Sequence, residues 1–546
     1  MKVLFVARHF TYFRNFESVI AEMAGRGHHV HLAADREEAL GGRELVERLA
    51  ARFPEQITIG FTPILQWGRY RRVSAALRIG LDYLRYSDLR YEATPRLRER
   101  AYERTPFLVL ALARLPFRRA LTRVLEAIER AVPRQLGVDE FIRDARADAL
   151  LITPLIELGS PQLDYLRAAR ALGIPSALCV WSWDHLSSKA LIRVVPDAVI
   201  VWNEVQRAEA GRFHQIPSER VVVTGAQCFD QWFDRTPSRD RGAFCRRVGL
   251  RGDRPFVLYV CSALFKNSPS EAAFVARWIE ALRRSDDPRV RNLAVLVRPH
   301  PQRTEEWTAE ARAALERAGD AVLWGANPIA AESRADYFDS MYHAAAVVGL
   351  NTSALVEAAI VDRPVLTILL PEFRDNQEGT FHFHHLLTVG NGFLQASRTL
   401  EEHVAQLSRS LEPGAVTSNR AFVEQFIRPH GIGVPATPVF VDAVQQLASV
   451  ARRPEPAPLA STLLRPIVWA LVLAGRVPGL ERIYWNPVKR REWADNVRAI
   501  WHKDAQRRAK RARKAGRLAR KLPQHALVRL KTTAKHALGA IGLRSS

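Results

Sequence analysis

Cysteine is scarce in this chain, with four in 546 residues: Cys179, Cys228, Cys245 and Cys261. None forms a C-x-x-C pair, so neither a zinc site nor a disulfide framework is indicated, and a reducing compartment fits best. Long apolar runs are missing as well: no window reaches the roughly 18 unbroken apolar residues that a spanning helix needs. The start, Met1-Lys2-Val3-Leu4-Phe5-Val6-Ala7, runs straight into a strand-like segment without the apolar core and cleavage site of a signal peptide. A cytoplasmic or peripheral protein is the expectation. Walker A, nucleophile-elbow and H-E-x-x-H motifs are absent, and the loop after the first apolar run lacks G-x-G-x-x-G. What is present is ordinary globular composition, 47% hydrophobic and 25% charged. That excludes disorder throughout and leaves room for two or three domains with sizeable cores.

Acidic residues are the other shortage. Lys and Arg number 80 against 57 Asp and Glu, a net charge of +23, and the excess is localised. From Asn486 to Ser546 there are 18 Lys or Arg and three acidic residues. Between Arg69 and Arg134, 16 Arg face seven acidic residues. Charge concentrated in this way points to a polyanionic partner: anionic lipid headgroups, nucleic acid or a phosphorylated substrate.

Apolar runs alternate with helical spacing. Lys2–Arg8 has the continuous pattern of a strand buried on both faces, Phe16, Val19, Ile20 and Met23 recur at helical intervals, and His29–Ala34 reads as a second strand. Asp148–Thr153, Ser176–Trp181, Ala198–Trp202 and Arg220–Thr224 extend the series. A second series opens at Phe256–Cys261 and continues through Leu293–Arg298, Val322–Trp324, Ala346–Gly349 and Val365–Leu370, with helices at Glu271–Arg283, Ala309–Ala318, Tyr337–Ala344 and Ala354–Val361. Strands alternating with helices predict doubly wound α/β sheets. The expected division is residues 1–235, with an arginine-rich helical insertion at about 69–134, then 236–450, then a proline-rich linker and basic amphipathic tail over 451–546.

Several residues stand where chemistry gathers in such sheets. Gly349-Leu350-Asn351-Thr352-Ser353 ends a strand and opens a helix, so backbone N–H groups and hydroxyls suit phosphate oxygens. Glu357, one turn on, could accept hydrogen bonds from a ribose diol; a plain helix cap with a surface carboxylate explains the segment equally well. Arg298-Pro299-His300-Pro301 follows a strand and fixes an imidazole at a carboxyl end. Arg8 and His9 follow the first strand. Trp181-Ser182-Trp183-Asp184-His185 brings together indoles that stack on sugars and a carboxylate or imidazole that could take a hydroxyl proton; a turn with two half-buried tryptophans is the alternative. His382 and His384 would share a strand face, but a third ligand at clear spacing is missing, so no metal site is expected.

These features resemble the GT-B superfamily of nucleotide-sugar glycosyltransferases. Gly25-Arg26-Gly27-His28-His29-Val30 is similar to their N-terminal domain. Arg298-Pro299-His300-Pro301, Asp336-Tyr337-Phe338-Asp339 and Asn351-Thr352-Ser353 with Glu357-Ala358 are similar to the donor half of bacterial surface-polysaccharide enzymes, including capsule transferases and CDP-glycerol glycerophosphotransferases. The resemblance implies two Rossmann-like domains facing a cleft, with a nucleotide-sugar as substrate and neither cofactor nor metal. It implies donor contacts from His300, Thr352, Ser353 and Glu357, with Arg298 and Asn351 beside them. From the residues' own chemistry, acceptor contacts are expected from Arg8, Trp181, Trp183 and His185, and catalysis by Asp184, His9 and His300. Two departures stand out: Gly349–Ser353 replaces the Asp-Tyr-Ser-Ser run of the glycerophosphotransferases, and Arg8-His9-Phe10 replaces a glycine-rich first loop. The expected activity is sugar transfer to a surface-glycan or lipid-linked acceptor at the inner face of the plasma membrane. Trp469, Trp485 and Trp493, with Arg507, Arg508, Lys510 and Arg511, would meet anionic lipid. The alternatives are a polyol-phosphate transferase, a nonhydrolysing sugar-nucleotide epimerase, and a basic-tailed nucleic-acid-binding protein; no nucleic-acid-reading motif supports the last.

Overall fold

The apolar runs form parallel strands because helices cover both of their faces. The protein is described here from a computed structural model covering residues 1–38, 41–63, 68, 70–414, 419–455, 459–521 and 524–540. Arg69, at the head of the arginine-rich segment, and Pro456 and Pro458 of the proline-rich stretch lie outside the described residues. Seven strands make the first sheet: β1 (Lys2–His9), β2 (His29–Arg36), β3 (Ile57–Phe61), β4 (Ala149–Thr153), β5 (Ser176–Cys179), β6 (Ala198–Val201) and β7 (Val221–Val223). Their order is β3-β2-β1-β4-β5-β6-β7, with Val3 paired to Val30 on one side and Ala149 on the other. Six strands make the second: β8 (Phe256–Val260), β9 (Ala294–Arg298), β10 (Ala321–Leu323), β11 (Ala346–Gly349), β12 (Val365–Ile368) and β13 (Leu394–Ser397), in the order β10-β9-β8-β11-β12-β13. The direction of winding reverses between β1 and β4 and again between β8 and β11, which places a ligand crevice at the carboxyl end of each sheet.

The C-terminal part of the second half crosses back. Helix Ala436–Ser449 buries Phe440, Val441 and Val444 in the core of the first domain, with the Phe440 ring 5.9 Å from Phe16. Gly225 lies at the crossing with φ of +94°, and a Cβ there would sit 2.7 Å from the Ala436 Cβ. Asp230 fixes the helix start by accepting from the backbone N–H groups of Ala436 (3.0 Å) and Thr437 (2.7 Å). The two doubly wound parallel-sheet domains expected from the sequence are present and are tied together in this way.

The arginine-rich segment folds into helices Arg71–Tyr86, Pro95–Arg104, Phe107–Leu112 and Arg118–Ala131. Part of its charge is internal. Arg78 is fully buried and donates to Glu129 (2.9 Å), Asp164 (2.7 Å) and the Ser160 carbonyl (2.9 Å), joining the insertion to the first domain. Replacing it with Met keeps most of the volume but leaves buried carboxylates short of a partner. Arg78→Met should therefore cost about 3 kcal/mol, read as a lowered urea midpoint.

The linker-and-tail assignment over 451–546 needs correction at its start. Helix Arg465–Ala474 belongs to the compact unit Met1–Tyr484, with Val468 and Val472 buried against Val73, Leu77, Leu125 and Ile128 of the insertion. Trp469 sits on that helix beside Tyr70, ring centroids 5.8 Å apart, and so is part of this unit and not of the tail. Residues Trp485–Ser546 form a separate unit with helices Pro487–Lys521 and Gln524–Ala540. Within it the Trp485 and Trp493 rings are 5.8 Å apart, and Arg507, Arg508, Lys510 and Arg511 are exposed. Among the described residues no helix is long and apolar enough to cross a membrane.

Candidate active site

Between the two sheet domains, at the carboxyl ends of their strands, lies a cavity of about 550 Å³. Its lining carries the cations Arg14, Arg96, Arg100, Lys189, Arg235, Arg298 and Arg334 against the two carboxylates Asp184 and Glu357. Such an imbalance in a partly enclosed cleft focuses positive potential on whatever enters.

On the side of the second domain, β11 ends at Gly349, where a Cβ would come within 2.8 Å of the Val260 carbonyl oxygen. That close approach seats the following loop against β8. The Asn351 backbone N–H donates to Ser262 Oγ (3.1 Å), and its side-chain amide donates to the Asn376 carbonyl. Ser353 does not cap helix Ala354–Ile360 with its side chain; its Oγ instead accepts from Trp183 Nε1 across the cleft (3.1 Å). Thr352 joins it in the lining.

Glu357 projects from the first turn of that helix and accepts a hydrogen bond from the Tyr337 hydroxyl. Burial raises its pKa to about 7, although Tyr337, Arg14 and Arg298 all favour the ionised form. Arg298, at the end of β9, is buried, its guanidinium lying 4.9 Å from the Tyr337 ring centroid and 5.5 Å from that of Trp324. One amino group donates to the Ala326 carbonyl (3.1 Å) and the other, Nη1, has no protein partner. Gly325 leaves room for it: a Cβ there would lie 2.6 Å from Cζ, and φ is +135°. The His300 Nδ1 accepts from the Gln302 backbone N–H (3.2 Å). Burial and then Arg303 lower its pKa, so at neutral pH the ring is uncharged with its proton on Nε2, a donor.

On the side of the first domain, Trp181, Trp183 and Asp184 line the cavity. Asp184 accepts from Ser182 (2.6 Å) and Ser188 (2.8 Å) and pairs with Lys189 (3.2 Å). Burial favours its neutral form, but Lys189, His382 and the two hydroxyls outweigh that and hold it well below the usual carboxylate range. A carboxylate so placed anchors Lys189 and is a weak base.

His185 corrects an expectation. It is fully buried, its Nε2 bonded to the Pro154 carbonyl (2.8 Å), and burial lowers its pKa to about 3. The short helix it opens turns this side chain toward the sheet, so it cannot touch an acceptor. Arg8 pairs with Glu157, and burial takes His9 down to about 4. Neither lines the cavity; Tyr12 stands between, in ring contact with His9 (4.5 Å) and Trp181 (5.2 Å). His382 and His384 do not share a strand: they flank the start of helix Phe383–Thr388. His382 lies 3.4 Å from the Asn351 amide, and His384 bonds to the Glu378 carbonyl (2.9 Å). Among the described residues no group of three or more His, Cys, Asp or Glu side chains is placed to hold a metal ion.

The structure therefore gathers Arg298, His300, Asn351, Thr352, Ser353, Glu357, Trp181, Trp183 and Asp184 at one cavity and leaves Arg8, His9 and His185 outside it. It adds Tyr337 and six further cations. Of these, Arg96 and Arg100 are marked by local spacing, one helical turn apart, and Lys189 closes the run that opens at Trp181.

No family model matches the chain, and neither does any curated protein. Among solved structures it is similar to UDP-GlcNAc 2-epimerase from Neisseria meningitidis bound to UDP-GlcNAc, at 13% identity and a TM-score of 0.46 over 82% of this chain and 100% of that one. It is also similar to a glycosyltransferase from Rickettsia africae, at 9% identity and 0.47 over 83% and 99%. The third, HepE from Anabaena in complex with UDP, stands at 12% and 0.46 over 82% and 100%.

Proposed function

We propose that the protein is a glycosyltransferase that moves a sugar from a nucleoside-diphosphate donor to a glycan or lipid-linked acceptor hydroxyl. The observation carrying this reading is the group Glu357, Tyr337 and Arg298 in a cavity with seven cations and two carboxylates. The Glu357 carboxylate has one oxygen engaged by Tyr337, and the other takes the ribose diol. The unpartnered Arg298 Nη1 and the His300 Nε2–H meet donor phosphate oxygens, with the Thr352 and Ser353 hydroxyls beside them. Trp181 stacks on the acceptor, while Trp183, buried, holds the Ser353 hydroxyl across the cleft.

As the acceptor hydroxyl oxygen bonds to the anomeric carbon, the bond from that carbon to the phosphate oxygen breaks, its electron pair stays on the departing diphosphate, and the hydroxyl proton passes to water. We assign stabilisation of that charge to the fixed arginines in place of a metal ion. Asp184, held ionised, positions Lys189 toward the same charge. The acceptor is assigned to the inner face of the plasma membrane, with the tail residues Trp485, Trp493, Arg507, Arg508, Lys510 and Arg511 on anionic lipid.

A thermal-shift panel of UDP, CDP, GDP and dTDP on the wild type and on Glu357→Ala tests the donor site. A ligand at ~100 times its dissociation constant adds about 2.7 kcal/mol. One nucleotide should stabilise the wild type and leave the variant unmoved. Equal shifts in both proteins would remove Glu357 from the site, and no shift with any nucleotide would end the transferase reading.

A further inference from the structure

Two short helices of the compact unit are almost entirely apolar yet only partly buried. Helix Phe107–Leu112, FLVLAL, buries Val109 and Leu110 and exposes Phe107, Leu108 and Leu112. Helix Arg465–Ala474, RPIVWALVLA, buries Val468 and Val472 and exposes Ile467, Trp469 and Leu473. A helix without a polar face is normally enclosed by protein or by lipid. Both helices belong to one layer, since Val109, Val468 and Val472 share a core with Leu77, Leu125 and Ile128.

The exposed apolar surface is concentrated there. Of 19 large hydrophobic residues exposed among the described part of residues 1–484, 12 fall within 104–125 and 461–480. Scattered exposed leucines are ordinary, but a cluster of this kind marks an interaction surface. Its charge is mostly of one sign: those two segments hold seven arginines, with Glu103, Glu126 and Glu481 at their edges. Arg119 and Arg123, one turn apart on helix Arg118–Ala131, are exposed, and among the described residues neither makes an ion pair. Apolar side chains bordered mainly by arginine match the boundary of an anionic bilayer, where acyl chains lie beneath phosphate.

We propose that this helical layer, formed by the insertion and by residues 461–480, is a docking face for an anionic lipid bilayer. The layer supplies apolar insertion, and the charges of the basic tail supply long-range attraction. Exposed apolar contacts are insensitive to salt, whereas attraction by solvated charges fades as the Debye length shrinks from about 10 Å at 0.1 M to about 3 Å at 1 M. The docking face does not depend on the transferase reading, because no nucleotide enters the measurement.

The test is co-sedimentation of the full-length protein with phosphatidylglycerol–phosphatidylcholine vesicles at low salt and at ~0.5 M salt. The combined variant Leu108→Ser, Leu473→Ser and Val477→Ser changes exposed side chains, so its melting temperature should match the wild type while vesicle affinity falls at least about tenfold at both salt levels. If that variant melts early, Arg119→Gln with Arg123→Gln carries the test, losing affinity at low salt. Neutralising Arg507, Arg508, Lys510 and Arg511 to Gln should weaken binding at low salt and leave the high-salt binding of the wild type. The proposal is overturned if the serine variant binds like the wild type, if the tail variant loses all binding at high salt, or if pure phosphatidylcholine vesicles bind as well as anionic ones.

Discussion

Arg298→Met is expected to weaken donor binding by about 100-fold with little change in fold, because a hydrogen bond from a buried guanidinium to a phosphate is among the strong ones, worth about 2–3 kcal/mol. Met fills much of the slot between Tyr337 and Trp324, so the loss falls on the charge and on the Nη1 donor that has no protein partner. The same change should alter the pH dependence. Glu357 titrates at about 7 in the free protein, and Arg298 is one of the groups holding that value down. A ribose diol donates to the ionised carboxylate, so wild-type affinity is present above pH 7 and is lost as pH falls through it. In Arg298→Met the midpoint of that loss moves upward.

Stability runs the other way. The Glu357 pKa is raised on folding from 4.5 to about 7, so the ionised form destabilises the folded protein as pH rises across that window. Glu357→Gln should therefore bind donor poorly yet melt higher than the wild type at pH 8, by no more than about 3 kcal/mol, and melt alike at pH 4. Isothermal titration and melting curves over pH 4 to 9 read both effects. A wild-type affinity flat from pH 6 to 8 would remove Glu357 from the donor contact, and an Arg298→Met affinity within a factor of three would remove Arg298.

Much of this site was legible because it lies next to strands that announce themselves. Strands buried on both faces are unbroken apolar runs, and a residue just past such a run, such as His300 or Asn351, is at a carboxyl end whatever the tertiary detail. The strands that went unread, β3 (ITIGF) and β13 (LQAS), are both at sheet edges, where half the side chains face solvent or loops and the apolar run disappears. Helix Ala331–Tyr342 starts six residues before the expected Tyr337 because its first turn, Ala331-Glu332-Ser333-Arg334, carries no large apolar residue to mark it. The electrostatics of the cleft were legible only in part. Arg14, Arg100, Arg235 and Arg334 come from four distant segments and meet only when the two sheets face each other. Local sequence likewise could not separate Trp183 from His185: two residues apart, one turns to the cavity and the other to the Pro154 carbonyl.

The largest effect on stability should come from Asp230→Ala, at about 3–5 kcal/mol. The carboxylate is buried and has three partners: the Ala436 and Thr437 backbone N–H groups and the Arg428 guanidinium at 3.2 Å. Arg428 is itself buried, 3.5 Å from the Phe233 ring centroid, so removing Asp230 leaves its charge without that counter-ion as well as two helix-terminal donors without an acceptor. Helix Ala436–Ser449 carries Phe440, Val441 and Val444 into the first domain, and loosening its start frees the strap between the halves. The unfolding transition of Asp230→Ala should therefore broaden or split, with amide exchange rising along the whole helix. Asp230→Asn keeps one acceptor and should lose roughly half as much. If Asp230→Ala instead lowers the midpoint by less than about 0.5 kcal/mol, the size of an ordinary surface change, the tie between the domains rests on the apolar face of that helix alone.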